Sequence, residues 1–176
     1  MKIEAPRGTA DVLPVGQPAR EAIVRESEAA AARYGYGRIT IPTFEDTELF
    51  ARTSGESSDV VSKEMYTFRD RAGRSMTLRP EATAGIARAY VAHGLHRQPQ
   101  PVKTFTLGPM FRYAAPQKGR YREFWQVDFE AMGSHDPAID AELIQLFVEV
   151  TRKLGITSVR LELRSEERRV GKECRL

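Results

Sequence analysis

The run EFWQVDFEAM, Glu123–Met132, alternates in character almost step by step. Successive strand residues point to opposite faces. Trp125, Val127, Phe129 and Ala131 therefore fall on one face, and Phe124, Gln126, Asp128 and Glu130 on the other. A second apolar run, residues 103–113, precedes it, and between them lies a basic loop containing Pro116 and Gly119. Two such runs around a Pro/Gly loop predict a long β-hairpin. A ribbon with one strongly apolar face must be covered by something else, so the hairpin constrains the whole fold.

The rest of the chain supplies that cover. Gln17–Tyr34 predicts a helix, stopped by Gly35 and Gly37. RITIPTF, residues 38–44, predicts one β-branched strand ended by Pro42. Residues 47–52 predict a short helix, followed by the polar loop SGESSD. EMYTFRD and RSMTLR flank Arg71, Ala72 and Gly73 as a second hairpin. Pro80 then opens a helix that runs to about His93. Residues 138–154 predict an amphipathic helix with Ile139, Leu143, Phe147, Val150 and Leu154 on its apolar stripe and Gly155 as its stop. A last strand is expected over 158–163. Hairpins alternating with helices give an α+β domain on a mostly antiparallel sheet.

Charge at first suggests nucleic acid, since Lys and Arg total 27 against 24 Asp and Glu, net +3. The balance is concentrated at the end. The block RSEERRVGKEC, residues 164–174, matches a translated short-read sequencing adapter residue for residue and is expected to be non-native, as is the tail 164–176 as a whole. That tail holds five basic residues against three glutamates, which leaves 22 − 21 = +1 for residues 1–163. It also holds Cys174, the sole cysteine, so no disulfide framework or Cys-rich zinc site is expected. His93, His96 and His135 lack metal-ligand spacing, and no metal site is expected. The first residues have no apolar leader core and no stretch is long enough to span a bilayer, which makes the cytoplasm the expected compartment. No Walker loop, GxSxG or GxGxxG is present.

Candidate chemistry is therefore local. Gln126, Asp128 and Glu130 line one side of one strand. Two readings fit: the wet face of an antiparallel sheet, or a floor that binds a cationic or N–H-bearing ligand. Arg112, Lys118, Arg120 and Arg122 surround the hairpin loop, where guanidinium groups offer bidentate donors to phosphate or carboxylate. In TLRPEAT, residues 77–83, Glu81 and Thr83 fall in a helix first turn, where they either favour the helix dipole or project into the same cleft as Gln126.

Several stretches together resemble the histidyl-tRNA synthetase family of class II aminoacyl-tRNA synthetases. They are RGTADVLP, YGYGRITIPTFE, KEMYTF, LRPEAT, GPMFRYAAPQKGRYREFWQVDFE and IDAELI, in the family's order over residues 6–163. The resemblance implies the N-terminal part of a class II catalytic domain over 1–163, an antiparallel sheet flanked by helices and incomplete. Motif 1 covers about 17–45 and builds a homodimer; motif 2 covers about 107–133. It implies ATP-dependent activation of histidine to histidyl-adenylate, with Mg2+ accompanying the ATP, and transfer to tRNA(His). Carried over by position, Arg112 grips the α-phosphate and the histidine carboxylate, as the catalytic residue. Glu81, Ala82, Thr83 and Gln126 surround the histidine amino group, Glu130 accepts from the imidazole, and Arg120 lies near the ATP phosphates. The family often has Gly where Ala82 stands, and motif 2 usually has Glu and often Arg where Ala114 and Ala115 stand. Family members continue past residue 163 into a second histidine-specific segment, motif 3 and an anticodon-binding domain, so the isolated chain is not expected to aminoacylate tRNA. The regulatory subunit of ATP phosphoribosyltransferase, a histidine-binding paralogue without ligase activity, shares the same motifs and is the alternative. A generic RNA-binding module is a third reading, disfavoured by the charge of +1.

Overall fold

The structure, a computed structural model, describes residues 3–54, 64–115, 117 and 119–162. In chain order the elements are α1 (Gln17–Tyr34), β1 (Gly37–Arg38), β2 (Phe44–Asp46), α2 (Thr47–Ser54), β3 (Tyr66–Arg69), β4 (Ser75–Leu78), α3 (Thr83–Ala92), β5 (Val102–Phe111), β6 (Glu123–Met132) and α4 (Pro137–Lys153). The expected hairpin is β5–β6, antiparallel in unbroken register from Val102 opposite Met132 to Phe111 opposite Glu123. β1 adds to the other edge of β5 in parallel. A second sheet has the order β2-β4-β3, antiparallel throughout, and contains the expected 66–78 hairpin.

The two faces of β5–β6 are covered by different helices. On one face Phe105 and Phe129 stack at 5.8 Å between rings, and Tyr36 meets Phe129 edge-on at 5.6 Å. Ala30 and Ala31 of α1 and Leu146 of α4 close this core, with Leu143 and Val150 packed against it. The alanines let α1 approach closely. On the other face Met110 packs with Ile41, Ala82 and Ile86, and Phe124 and Met132 lie against that cluster.

Arg79 stitches the two sheets together. It is 5% exposed. Its Nε donates to the Pro109 carbonyl and its Nη1 to the Ile41 carbonyl, both at 2.9 Å. Its backbone N–H donates to Thr43 and its carbonyl accepts from Phe111. Gly108 makes room for this side chain, because a Cβ there would lie 2.4 Å from Arg79 Nη2. At the far end of the hairpin the N-terminal segment is strapped across the loop. The Arg122 N–H donates to the Gly8 carbonyl at 2.6 Å, and Gly8 sits at φ +86 with Arg122 Cγ only 2.7 Å from where a Cβ would be.

Four details differ from the sequence expectation. RITIPTF is not one strand: β1 ends at Arg38 and β2 begins at Phe44, because the carbonyls of Ile41 and Pro42 turn inward to Arg79. Pro80 does not open a helix. Its carbonyl is taken by Arg112 Nε at 2.8 Å, and α3 starts at Thr83 behind Ala82. On α4 the inward stripe is Leu143, Leu146 and Val150, while Phe147 is 59% exposed. Residues 156–162 form no strand. The Gly-Ser loop beyond Ser54, Lys118, Leu163 and the tail 164–176 lie outside the described residues.

Candidate functional site

The polar face of β6 carries Gln126, Asp128 and Glu130, opposite Gly108, Thr106 and Thr104 of β5. The turn into α3 brings Glu81 and Thr83 to the same place. Thr83 Oγ1 donates to Glu130 Oε1 at 2.6 Å. Glu81 Oε1 accepts the Ala84 N–H at 3.2 Å, which caps the helix from outside it. Gln126 Nε2 donates to Asp128 Oδ1 at 2.5 Å. Two acceptors on this face, Gln126 Oε1 and Asp128 Oδ2, are buried with no partner among the described residues. Buried polar atoms are ordinarily paired, so this face has acceptor capacity left over.

Asp128 feels its surroundings most strongly. Its carboxyl is pushed up to about 6, first by burial and then by the charges of Glu130 and Glu81; the Gln126 hydrogen bond and Arg112 pull the other way. Arg79 is lowered from its usual value by burial, against the charge of Asp128. Strand alternation placed Asp128 between Gln126 and Glu130 as part of a possible ligand-binding floor, but the roles implied by the family resemblance left it out. The signal was present, since a third acceptor on a face already carrying two is easily read as solvated.

Arg112 stands at the rim. Its Nε is held by the Pro80 carbonyl and its guanidinium carbon lies 5.2 Å from the centre of the Phe124 ring. Its two terminal nitrogens have no hydrogen bond among the described residues, so a bidentate fork is left for an oxyanion. Ala82 is fully buried in the Ile41–Met110 cluster and serves as packing. Arg120 is not drawn into the carboxylate group. It pairs with Glu64 at 3.3 Å and, with Arg112, Ala114 and Phe124, lines a cavity of about 340 Å³. A larger cavity, about 630 Å³, adjoins it through Tyr121, Phe124 and Trp125 and has Arg20 stacked over the Trp125 ring at 3.5 Å.

The chain has known relatives. A family model for histidyl-tRNA synthetase matches residues 8–166. The chain belongs to the histidyl-tRNA synthetase family. It is 50% identical over 171 residues to the histidine–tRNA ligase of Desulforamulus reducens, covering 97% of this chain and 40% of that protein. It is 54% identical over 162 residues to that of Mycolicibacterium vanbaalenii, covering 92% and 38%. Among solved structures, apo Staphylococcus aureus histidyl-tRNA synthetase superposes with a TM-score of 0.73 at 38% identity, covering 86% of this chain and 39% of that one. A Bacillus halodurans structure described as an ATP phosphoribosyltransferase regulatory subunit/histidyl-tRNA synthetase gives 0.72 at 28% identity, over 86% and 38%. The synthetase fold thus accounts for the mixed α+β architecture, and the chain spans about two fifths of the length of the curated relatives it matches.

Proposed function

We propose that this chain is the amino-acid-binding and motif 2 part of a histidine–tRNA ligase. In the reaction the carboxylate of histidine attacks the α-phosphorus of ATP, the bond to the bridging oxygen breaks, and histidyl-adenylate and pyrophosphate form. The histidyl group then passes to the terminal adenosine of tRNA(His). The observation that carries the reading is the convergence on one sheet face of unpaired acceptors at Gln126 and Asp128, carboxylates at Glu81 and Glu130, and an open guanidinium fork at Arg112. An amino acid presents the complement: an ammonium beside a carboxylate, and here an imidazole N–H.

On this reading Glu81, Thr83 and Gln126 surround the ammonium group and Glu130 accepts from the ring. Arg112 holds the carboxylate against the α-phosphate, which is positioning plus charge stabilisation rather than covalent chemistry. Arg120 approaches the nucleotide phosphates once released from Glu64. Mg2+ arrives with ATP. No group of three or more His, Cys, Asp or Glu among the described residues is arranged to hold a metal ion. The protein acts in the cytoplasm as a homodimer through motif 1, and no helix among the described residues is long and apolar enough to cross a membrane. Exposed Ile23 and Phe44, within motif 1, support an assembly surface there.

These 176 residues by themselves are expected to show no aminoacylation, because they span about two fifths of the length of the curated relatives. The test is ATP–pyrophosphate exchange by residues 1–162 joined to the remaining three fifths of the Desulforamulus reducens relative. Histidine-dependent exchange, lost in Arg112→Ala, is the expected result. Histidine binding with no exchange points instead to the regulatory paralogue. Ala114→Glu in the same fusion is expected to raise adenylate formation, since Ala114, 2% exposed, borders the 340 Å³ cavity that Arg112 and Arg120 line and the family usually carries Glu there.

A further inference from the structure

An amide has two ends, and nothing in its shape tells a protein which one to present. Gln126 must offer its oxygen to bind an ammonium group; offering its NH2 would repel one. An ionised carboxylate accepts and cannot donate, so it is compatible with only the NH2 end. Asp128 Oδ1 takes Gln126 Nε2 at 2.5 Å, and Gln126 Oε1 is left buried and unpaired. The second carboxylate oxygen, Oδ2, is also buried and unpaired. We infer that Asp128 is a positioning residue that fixes the Gln126 amide with its oxygen toward the ligand, and that it makes the site selective for a primary ammonium over a hydroxyl group.

The groups that face Asp128 make this a conditional device. Glu130 lies two residues along β6, Glu81 comes from the turn into α3, Arg112 from the end of β5 and Arg79 from the link between β4 and α3. The carboxylates raise its proton affinity and Arg112 lowers it, leaving it near 6. A protonated Asp128 gains a donor, and its O–H can serve the Gln126 oxygen. The amide is then free to turn its NH2 end outward. Selectivity for an ammonium is therefore expected above pH about 6 and weakened below it.

The inference rests on the amino-acid-binding reading above, and the test separates the two. In the full 176-residue chain, the carboxyl carbon of Asp128 and the side-chain amide of Gln126 are followed by NMR against pH. Both are expected to move in one step with a midpoint near 6. Asp128→Asn abolishes the amide step, Glu130→Gln shifts it to lower pH, and Asp128→Glu restores a step. A Gln126 amide that ignores the titration of Asp128 overturns the proposal. L-histidine and its α-hydroxy analogue, imidazole lactate, are then titrated at pH 8 into wild type and Asp128→Asn. A preference for histidine that falls about tenfold in the variant supports the selectivity claim; an unchanged preference overturns it. Should neither compound bind wild type at millimolar concentration, the amino-acid reading fails for this chain, the selectivity claim falls with it, and the amide step alone decides the positioning role.

Discussion

The two faces of β6 belong to one strand and are governed by opposite rules. On one face Phe129 is locked between Tyr36 and Phe105, with α1 and α4 closing over it. Its contacts are all internal. On the other, two residues of the same strand keep buried acceptors unpaired and one carboxyl is pushed toward neutrality. Phe129 stabilises the fold, whereas the unpaired acceptors of Gln126 and Asp128 cost it stability on a face whose ends, Phe124 and Met132, pack into the second core. A sheet two side chains thick can tolerate this because the ladder of backbone hydrogen bonds is common to both. Core residues on this strand are marked by their contacts, and Gln126 and Asp128 by the atoms they leave unpaired.

Three substitutions test that contrast. The largest effect is expected from Phe129→Ala, which opens a cavity in the aromatic core and should cost about 3 kcal/mol in a denaturant titration. A loss below about 1 kcal/mol would mean that α1 and α4 do not depend on this face. Next is Arg79→Met, which keeps the stem and removes the donors serving Pro109 and Ile41. Leaving those carbonyls unserved should cost about 2 kcal/mol, and would show that the polar face also contains one internal tie. The smallest is a gain. The carboxyl of Asp128 sits near 6 in the folded chain against 3.8 ordinarily, so the folded state holds the proton more tightly. Its favourable contribution is complete below about pH 4 and is lost as pH rises through 6. Asp128→Asn cannot ionise. It should therefore be more stable than wild type at pH 8, by about 1 kcal/mol once solvent screening is allowed for. The advantage should vanish below pH 4. Equal stability at pH 8 would place Asp128 among the internally satisfied residues.

Much of this architecture is legible in the residues. α1 matches its expected bounds, because Gly35 adopts the left-handed conformation that ends a helix. α4 is fixed at its start by Asp136, whose carboxylate accepts the Ala138 N–H at 2.9 Å, and Pro137 follows at the first position. The long hairpin follows from alternation alone. The misses have one common cause, which is a distant partner. Nothing local in RITIPTF says that Arg79 will draw off its middle carbonyls. Nothing near Pro80 says that Arg112 will hold its carbonyl and delay the helix. On α4 two apolar stripes are possible, and only the position of α1 and β6 chooses Leu146 over Phe147. Gln126, Glu130 and Thr83 were readable as a group, and Thr83 does meet Glu130. Asp128 was visible on the right face, but its raised pKa follows first from burial and then from the charges of Glu130 and Glu81, and both the burial and Glu81 are supplied by other elements.

The Gly8–Arg122 tie has a consequence for the order in which the molecule is assembled. Residues made first are held by one made more than a hundred residues later, as the Arg7–Arg122 contact across 115 positions shows. On a ribosome the leading segment must wait, unattached, until the whole long hairpin has emerged. The base of the hairpin loop is therefore expected to be among the last parts of this chain to settle. A bulky fusion at the N-terminus delays it further, whereas one placed after α4 does not. Pulse-labelling hydrogen exchange at the Arg122 amide, whose partner is the Gly8 carbonyl at 2.6 Å, reads that delay directly.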